Sequence, residues 1–254
     1  MSAPAATDDM LDAAPIFALT VRQFLSGKAV RIVAAFALIP AVFAAIYALD
    51  SGGISRLDFM DGLFQGLIAP TLLPIATLIL ATNALGNEIE DRTMVYLVLK
   101  PISRARIVLE KFTAVVLTAV VLQLAGLVVT FLIVARGAAG DNLAQLPSMA
   151  IAGVFGVLGY GALFMAVSLI VPRALLAGVM YTLLWESLFG RFIPGIRLVS
   201  VRHYIQSIYV RLMDHPDITV SQAMQFVSAV VTILVLTTVA MALASWRLRT
   251  MNLE

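Results

Sequence analysis

Apolar residues run along this 254-residue chain in long blocks, and six of the blocks approach the roughly 20 residues that carry a helix across a hydrocarbon core. They cover residues 32–49, 63–85, 112–135, 149–171, 174–190 and 221–246. Charged and turn-forming residues separate them. The pattern predicts an all-α integral membrane protein, with six transmembrane helices in one bundle over residues 15–254. Residues 1–14 are rich in Ala, carry Asp8, Asp9 and Asp12, and have no basic stretch ahead of the first apolar run, so they read as a flexible tail and not a secretory signal.

Two periodic stretches are too polar to span. After Pro15, the residues Phe17, Val21 and Phe24 recur every three to four positions while Arg22 and Gln23 fall elsewhere, which predicts an N-terminal interfacial helix. Between spans five and six, Leu198, Val201, Ile205, Ile208 and Leu212 repeat in the same way, with Arg202, His203, Gln206 and Arg211 between them. This second amphipathic helix is expected to lie flat on the membrane or on the protein.

Prolines and glycines refine the spans. Pro40 sits near the middle of span one, and Pro70 and Pro74 lie one turn apart in span two, which predicts a strongly bent second helix placed to flex or to line a path. Asp50 to Gly62 reads as a short polar loop. In span four, Gly153, Gly156 and Gly159 recur every three residues, predicting a face without side chains on which another helix packs closely.

Composition agrees with a membrane chain, at 61% hydrophobic and 13% charged, and then excludes chemistry. The net charge is only +2 and the basic residues are dispersed, so there is no footprint for a nucleic-acid partner. Cysteine is absent, and His203 and His215 are too few for a histidine metal cage. Neither H-E-x-x-H, G-x-S-x-G nor the phosphate-cradling G-x-x-x-x-G-K-[ST] occurs, so the chain is expected to be no enzyme by itself and to bind no cofactor. Arg22, Lys28, Arg31, Arg92, Lys100, Arg104, Arg106, Lys111, Arg173, Arg247 and Arg249 fall on one side of the six-span layout. Only Arg56 and Arg136 lie in the short loops opposite. By the positive-inside rule this makes a multi-pass protein of the cell membrane with both termini cytoplasmic.

The densest charge cluster follows span two, in GNEIEDRTMVYLVLKPISRARIVLEK from Gly86 to Lys111. Glu88, Glu90, Asp91 and Arg92 precede an apolar run from Met94 to Leu99, Lys100-Pro101 stops it, and Ser103 can cap the next helix, whose Arg104, Arg106 and Lys111 would sit at the cytoplasmic interface. A solvated loop explains the charges but not six apolar residues, which require a surface to cover them.

The order of a proline-containing second span, E-x-E-D-x-T, an apolar run, K-P-I-S-R and a basic entry to span three resembles the ABC-2 type permeases, the membrane subunits of ABC exporters. The resemblance implies that residues 87–99 form a coupling helix that docks into a separate ATP-binding cassette ATPase, with Glu88, Glu90, Asp91, Arg92, Thr93, Met94, Tyr96 and Leu97 at the contact. ATP and Mg would then be held by that partner. It also implies a dimer of permease chains, homo- or heteromeric, with the route at their interface, and re-entrant or amphipathic helices between spans five and six. Pro70, Pro74 and Glu186 are the gate or pathway candidates; Glu186, beside Trp185, equally fits a carboxylate at headgroup level. A secondary transporter or channel without an ATPase, or a scaffold for a membrane complex, remains compatible with the same bundle.

Overall fold

A computed structural model describes residues 15–50, 52–86, 103–135, 144–184 and 200–251, and these residues are helical apart from short turns. Helix α1 covers Pro15–Ser26 and α2 Lys28–Leu49; α3 runs over Arg56–Gly86, α4 over Arg104–Ala135 and α5 over Gln145–Ile170. Helix α6 covers Ala174–Leu184, α7 Val201–Met213 and α8 Phe226–Thr250. Among the described residues five helices, α2, α3, α4, α5 and α8, are long and apolar enough to cross a membrane. The fifth expected span appears as the shorter apolar helix α6, and the rest of 174–190, with Trp185 and Glu186, lies outside the described residues, as do residues 1–14.

Several boundaries move for local reasons. The expected loop from Asp50 to Gly62 ends early, because Ser55 accepts the Asp58 N–H at 3.1 Å and starts α3 at Arg56. Gly52 and Gly53 take positive φ in the remaining turn, and Tyr47 stacks on Phe59 across it. Helix α4 begins eight residues ahead of the expected Phe112, at the cap Ser103, whose Oγ accepts from the Arg106 N–H. The last helix begins at Phe226 and not at Ser221. Arg211 donates to the carbonyls of Ala223 and Met224, and the Met224 N–H donates to Ser207 Oγ, which holds 221–225 against α7 as a turn.

Helices α3 and α5 form the middle of the bundle: 61% of the most apolar window of each is buried, against 22% for α2 and α4 and 11% for α8. The outer three present faces of exposed Leu, Val, Ile and Phe, as a helix in lipid must. Helix α5 touches α3, α4, α6, α7 and α8, and its glycines explain how. A Cβ at Gly153 would fall on the Gln123 carboxamide of α4, one at Gly156 on Ile205 of α7 and Leu73 of α3, and one at Gly159 on Val201 of α7. The three glycines therefore serve several neighbours and not one. Each three-residue step turns about 300° around a helix, so the stripe drifts backward by about 60° per step.

Helix α7 corrects a second expectation. It does not lie flat on a surface: Val201 and Ile205 reach Gly159 and Gly156, which stand about 21 and 17 Å along α5 from Gln145, while Tyr209 meets Gln145 itself. The helix enters the bundle to about half its height, and Val201 and His203 to Tyr209 are buried.

Gly126 of α4 lies directly on the Ala37 backbone of α2, whereas Gly62 of α3 faces open space. Gly126→Val should lower stability by about 1–3 kcal/mol through overpacking. Gly62→Ala should leave it unchanged or raise it by about 0.5–1 kcal/mol, because a helical glycine gives up backbone entropy. Thermal unfolding of the two variants in the same detergent checks the contrast.

Candidate functional site

The first two turns of α4 collect the ends of three other elements. Pro15 opens α1 without an N–H to satisfy, and the next two N–H groups, of Ile16 and Phe17, donate to Glu110 Oε2 at 3.0 and 3.1 Å. The carboxylate thus sits at the positive end of α1, and Arg106 Nε donates to its other oxygen at 2.6 Å. Arg104 donates to the carbonyls of Leu248 and Arg249, at 2.6 and 2.9 Å, closing the last turn of α8. Lys111 is 1% exposed and its Nζ donates to the Ala84 carbonyl of α3 at 2.8 Å. The sequence placed Lys111 at the aqueous interface; instead the side chain is buried, with the Ala84 carbonyl at the end of α3 accepting from its ammonium.

Helix α3 is not a simple bent α-helix. Residues 64–72 have the wider π-helical turn, the Leu73 N–H donating to the Ile68 carbonyl five residues back, and 82–86 widen again. Pro70 lies in the first wide stretch and has no N–H for Gln65, the acceptor five residues before it. Gln206 of α7 supplies a donor instead, Nε2 to the Gln65 carbonyl at 3.0 Å. Pro70 and Pro74 are both buried. Around this latch the Gln65 amide donates to Asp61 at 2.7 Å, Gln145 of α5 donates to the Leu57 carbonyl at 3.0 Å, and Tyr209 packs on Phe64. Burial pushes the Tyr209 hydroxyl above its ordinary range; the Gln145 amide that donates to it works the other way, and the nearby Asp61 carboxylate adds to the rise.

Helix α3 is therefore held at one end by a lysine of α4 and at the other by a glutamine of α7, with its prolines between. A cleft of about 310 Å³ opens beside the Lys111 end, walled by α2, α3 and α6, with Lys28, Thr82, Asn83 and Leu175 on its lining. Among the described residues no three His, Cys, Asp or Glu side chains come together as a metal site.

Glu88, Glu90, Asp91, Arg92, Thr93, Met94, Tyr96 and Leu97 lie outside the described residues, as does Glu186. Their segment starts next to Gly86, two residues past the Ala84 carbonyl that Lys111 holds, and returns at Ser103, which caps α4. Sequence reasoning missed Glu110 and the Gln65–Gln206 pair. Glu110 carried a signal, an acid four residues after Arg106 at the foot of a span; the glutamine pair carried none, being 141 residues apart.

Glu110→Gln keeps an acceptor for the α1 amides and loses only the charge, whereas Glu110→Leu leaves both amides unpaired. The leucine variant should cost about 1–3 kcal/mol more in docking α1. Faster tryptic cleavage at Arg22, with the glutamine variant close to wild type, is the expected readout. Gln206→Leu should likewise lower the melting temperature, by removing the donor to Gln65 across the proline, while Gln206→Glu, which cannot donate when ionised, should do no better.

Comparison with known proteins agrees with the helical layout. No curated protein matches the chain. The sequence profile of one family, described as ABC-2 family transporter protein, matches residues 27–190, which include α2 through α6 and the segment between α3 and α4. With well over half its length covered by that match and five helices apolar enough to span a bilayer, the chain belongs to the ABC-2 family of transporter proteins, as a multi-pass membrane component.

Proposed function

We propose that the chain is the permease subunit of an ABC exporter and turns ATP hydrolysis on a separate ATPase subunit into movement of α3 against its neighbours. The observation that carries this reading is that the described residues on either side of 87–102 meet one short stretch of α4, Ala84 through Lys111 and Ser103 as its cap. A displacement of that segment acts at once on α3 and on α4. From α3 it reaches the proline-containing π-helical stretch and, through Gln65 and Gln206, the inserted helix α7.

In this reading ATP and Mg belong to the partner, and Glu88, Glu90, Asp91, Arg92, Thr93, Met94, Tyr96 and Leu97 form the contact with it. The fold has six spans, the fifth made by α6 and the residues after it, in the cell membrane, with both termini, the foot of α4 and the 310 Å³ cleft on the cytoplasmic side. Two permease chains, identical or different, face each other, and the walls of the route include Pro70 and Pro74 of α3 and Glu186 beyond α6. The middles of the spans are almost entirely apolar, which favours an amphipathic cargo, or mechanical work on a partner protein, over a polar solute.

Co-expression of the tagged full-length chain with a candidate ATP-binding cassette ATPase from the same genome, followed by purification, tests the reading. Retention of the ATPase is expected, with loss in the double variant Glu88→Lys, Glu90→Lys. An ATPase that is never retained overturns the subunit assignment; one retained equally by the double variant overturns the assignment of residues 87–99 as the contact.

A further inference from the structure

At the foot of the bundle, the cleft of about 310 Å³ between α2, α3 and α6 brings together a cation, an unpaired amide and apolar walls. Lys28 lies on its lining just past Gly27, where the amphipathic helix α1 gives way to the span α2, so it stands at headgroup depth. Arg31 follows one turn on, and Arg173 immediately precedes Ala174 of the α6 wall. None of these three cations pairs with a carboxylate among the described residues. Glu110, the one described acid at this end, is already taken by the α1 amides and Arg106. Asn83 of α3 adds a half-buried carboxamide that has no hydrogen-bond partner among the described residues.

An excess of positive charge calls for an anion, and the walls decide which kind. Along α2, Lys28 and Ile32 of the cleft are continued at four-residue spacing by Phe36 and Pro40, which border an apolar hollow one turn deeper. Along α3, Asn83 and Ile79 are continued in the same way by Ala76 and Leu72. The two stripes make one seam that is polar at the foot of the bundle and apolar above it. From Lys28 to Pro40 the seam is about 18 Å long at 1.5 Å per residue, comparable to the depth of one bilayer leaflet. Ile32 and Leu175, on the cleft walls, are each 46% exposed, so the cleft is open beside apolar side chains. A small soluble anion would leave that seam uncovered, and the space is far larger than one water or a bare ion needs.

We propose that this cleft is a binding site for an anionic phospholipid, with its phosphodiester held by the Lys28 ammonium and the Asn83 carboxamide N–H groups and an acyl chain laid along the α2–α3 seam past Ile32 and Ile79. Arg31 and Arg173 raise the positive potential around it and favour a headgroup with net negative charge over a zwitterionic one. The bound lipid joins α2, α6 and the Lys111-held end of α3, which otherwise face each other across an open gap. The site requires only the bilayer, and stands whether or not an ATPase docks on this chain.

Native mass spectrometry of the full chain in a mild detergent, titrated with phosphatidylglycerol, phosphatidylcholine or sodium phosphate, tests this. One phosphatidylglycerol per chain should be retained at concentrations where neither phosphatidylcholine nor free phosphate is. Lys28→Gln should weaken that retention about fivefold, the factor that one cation near an anionic surface is worth. Leu175→Trp, which fills the cleft from the α6 wall and keeps every charge, should weaken it as well. Arg22→Gln removes a cation of α1 that is not on the cleft lining and should change nothing. All three substitutions replace exposed side chains, where effects on folding are small. Equal retention of the two lipids, retention of free phosphate in place of lipid, or an equal loss in Lys28→Gln and Arg22→Gln overturns the proposal.

Discussion

Inside a bilayer a carbonyl without a donor cannot turn to water, and the arrangement of this bundle follows from where that problem arises in α3. Pro70 removes a donor in the middle of a π-helical stretch, and the helix widens again at Thr82–Gly86. Each site is met by a side chain from another element, Gln206 of α7 at Gln65 and Lys111 of α4 at Ala84. Without those donors the second span would be a regular helix or an unstable one. With them it is held at two points and can differ from a regular helix between them.

The donors have to be delivered, and that requirement places α7 and α5. Gln206 reaches Gln65 only because α7 goes into the bundle, and α7 fits only where α5 has no side chains, at Gly156 and Gly159. Small residues, the inserted helix and the proline-bearing span are thus one packing unit. Opposite it, the foot of α4 gathers the start of α1 and the ends of α3 and α8 through Glu110, Lys111 and Arg104.

Much of this was legible in the residues. Long apolar runs marked the five helices long enough to span, Ser103 marked its cap, and the block from Glu88 to Lys111 pointed to the family. What escaped shares a cause: it depends on partners far away in sequence. The periodicity of Leu198 to Leu212 showed a helix with one apolar face, but His203 and Gln206 on its polar side are buried too, which only the neighbouring α3 and α5 explain. Ser55 and Asp58 carry a cap signal that the polarity of their surroundings, which suggests a loop, conceals. The three glycines of α5 showed close packing, while the drift of a three-residue repeat hid how many elements they serve.

The cap on α1 has a consequence for biogenesis. Glu110 is 94 residues downstream of Ile16, so when α1 leaves the ribosome the acceptor that its first two amides use in the folded protein has not yet been made. They must find another partner until α4 has been synthesised and inserted, and Arg104 must in turn wait for Leu248, 144 residues later still. The N-terminal helix can be made first and still be among the later pieces to settle, with α4 acting as the post to which earlier and later segments are tied in turn.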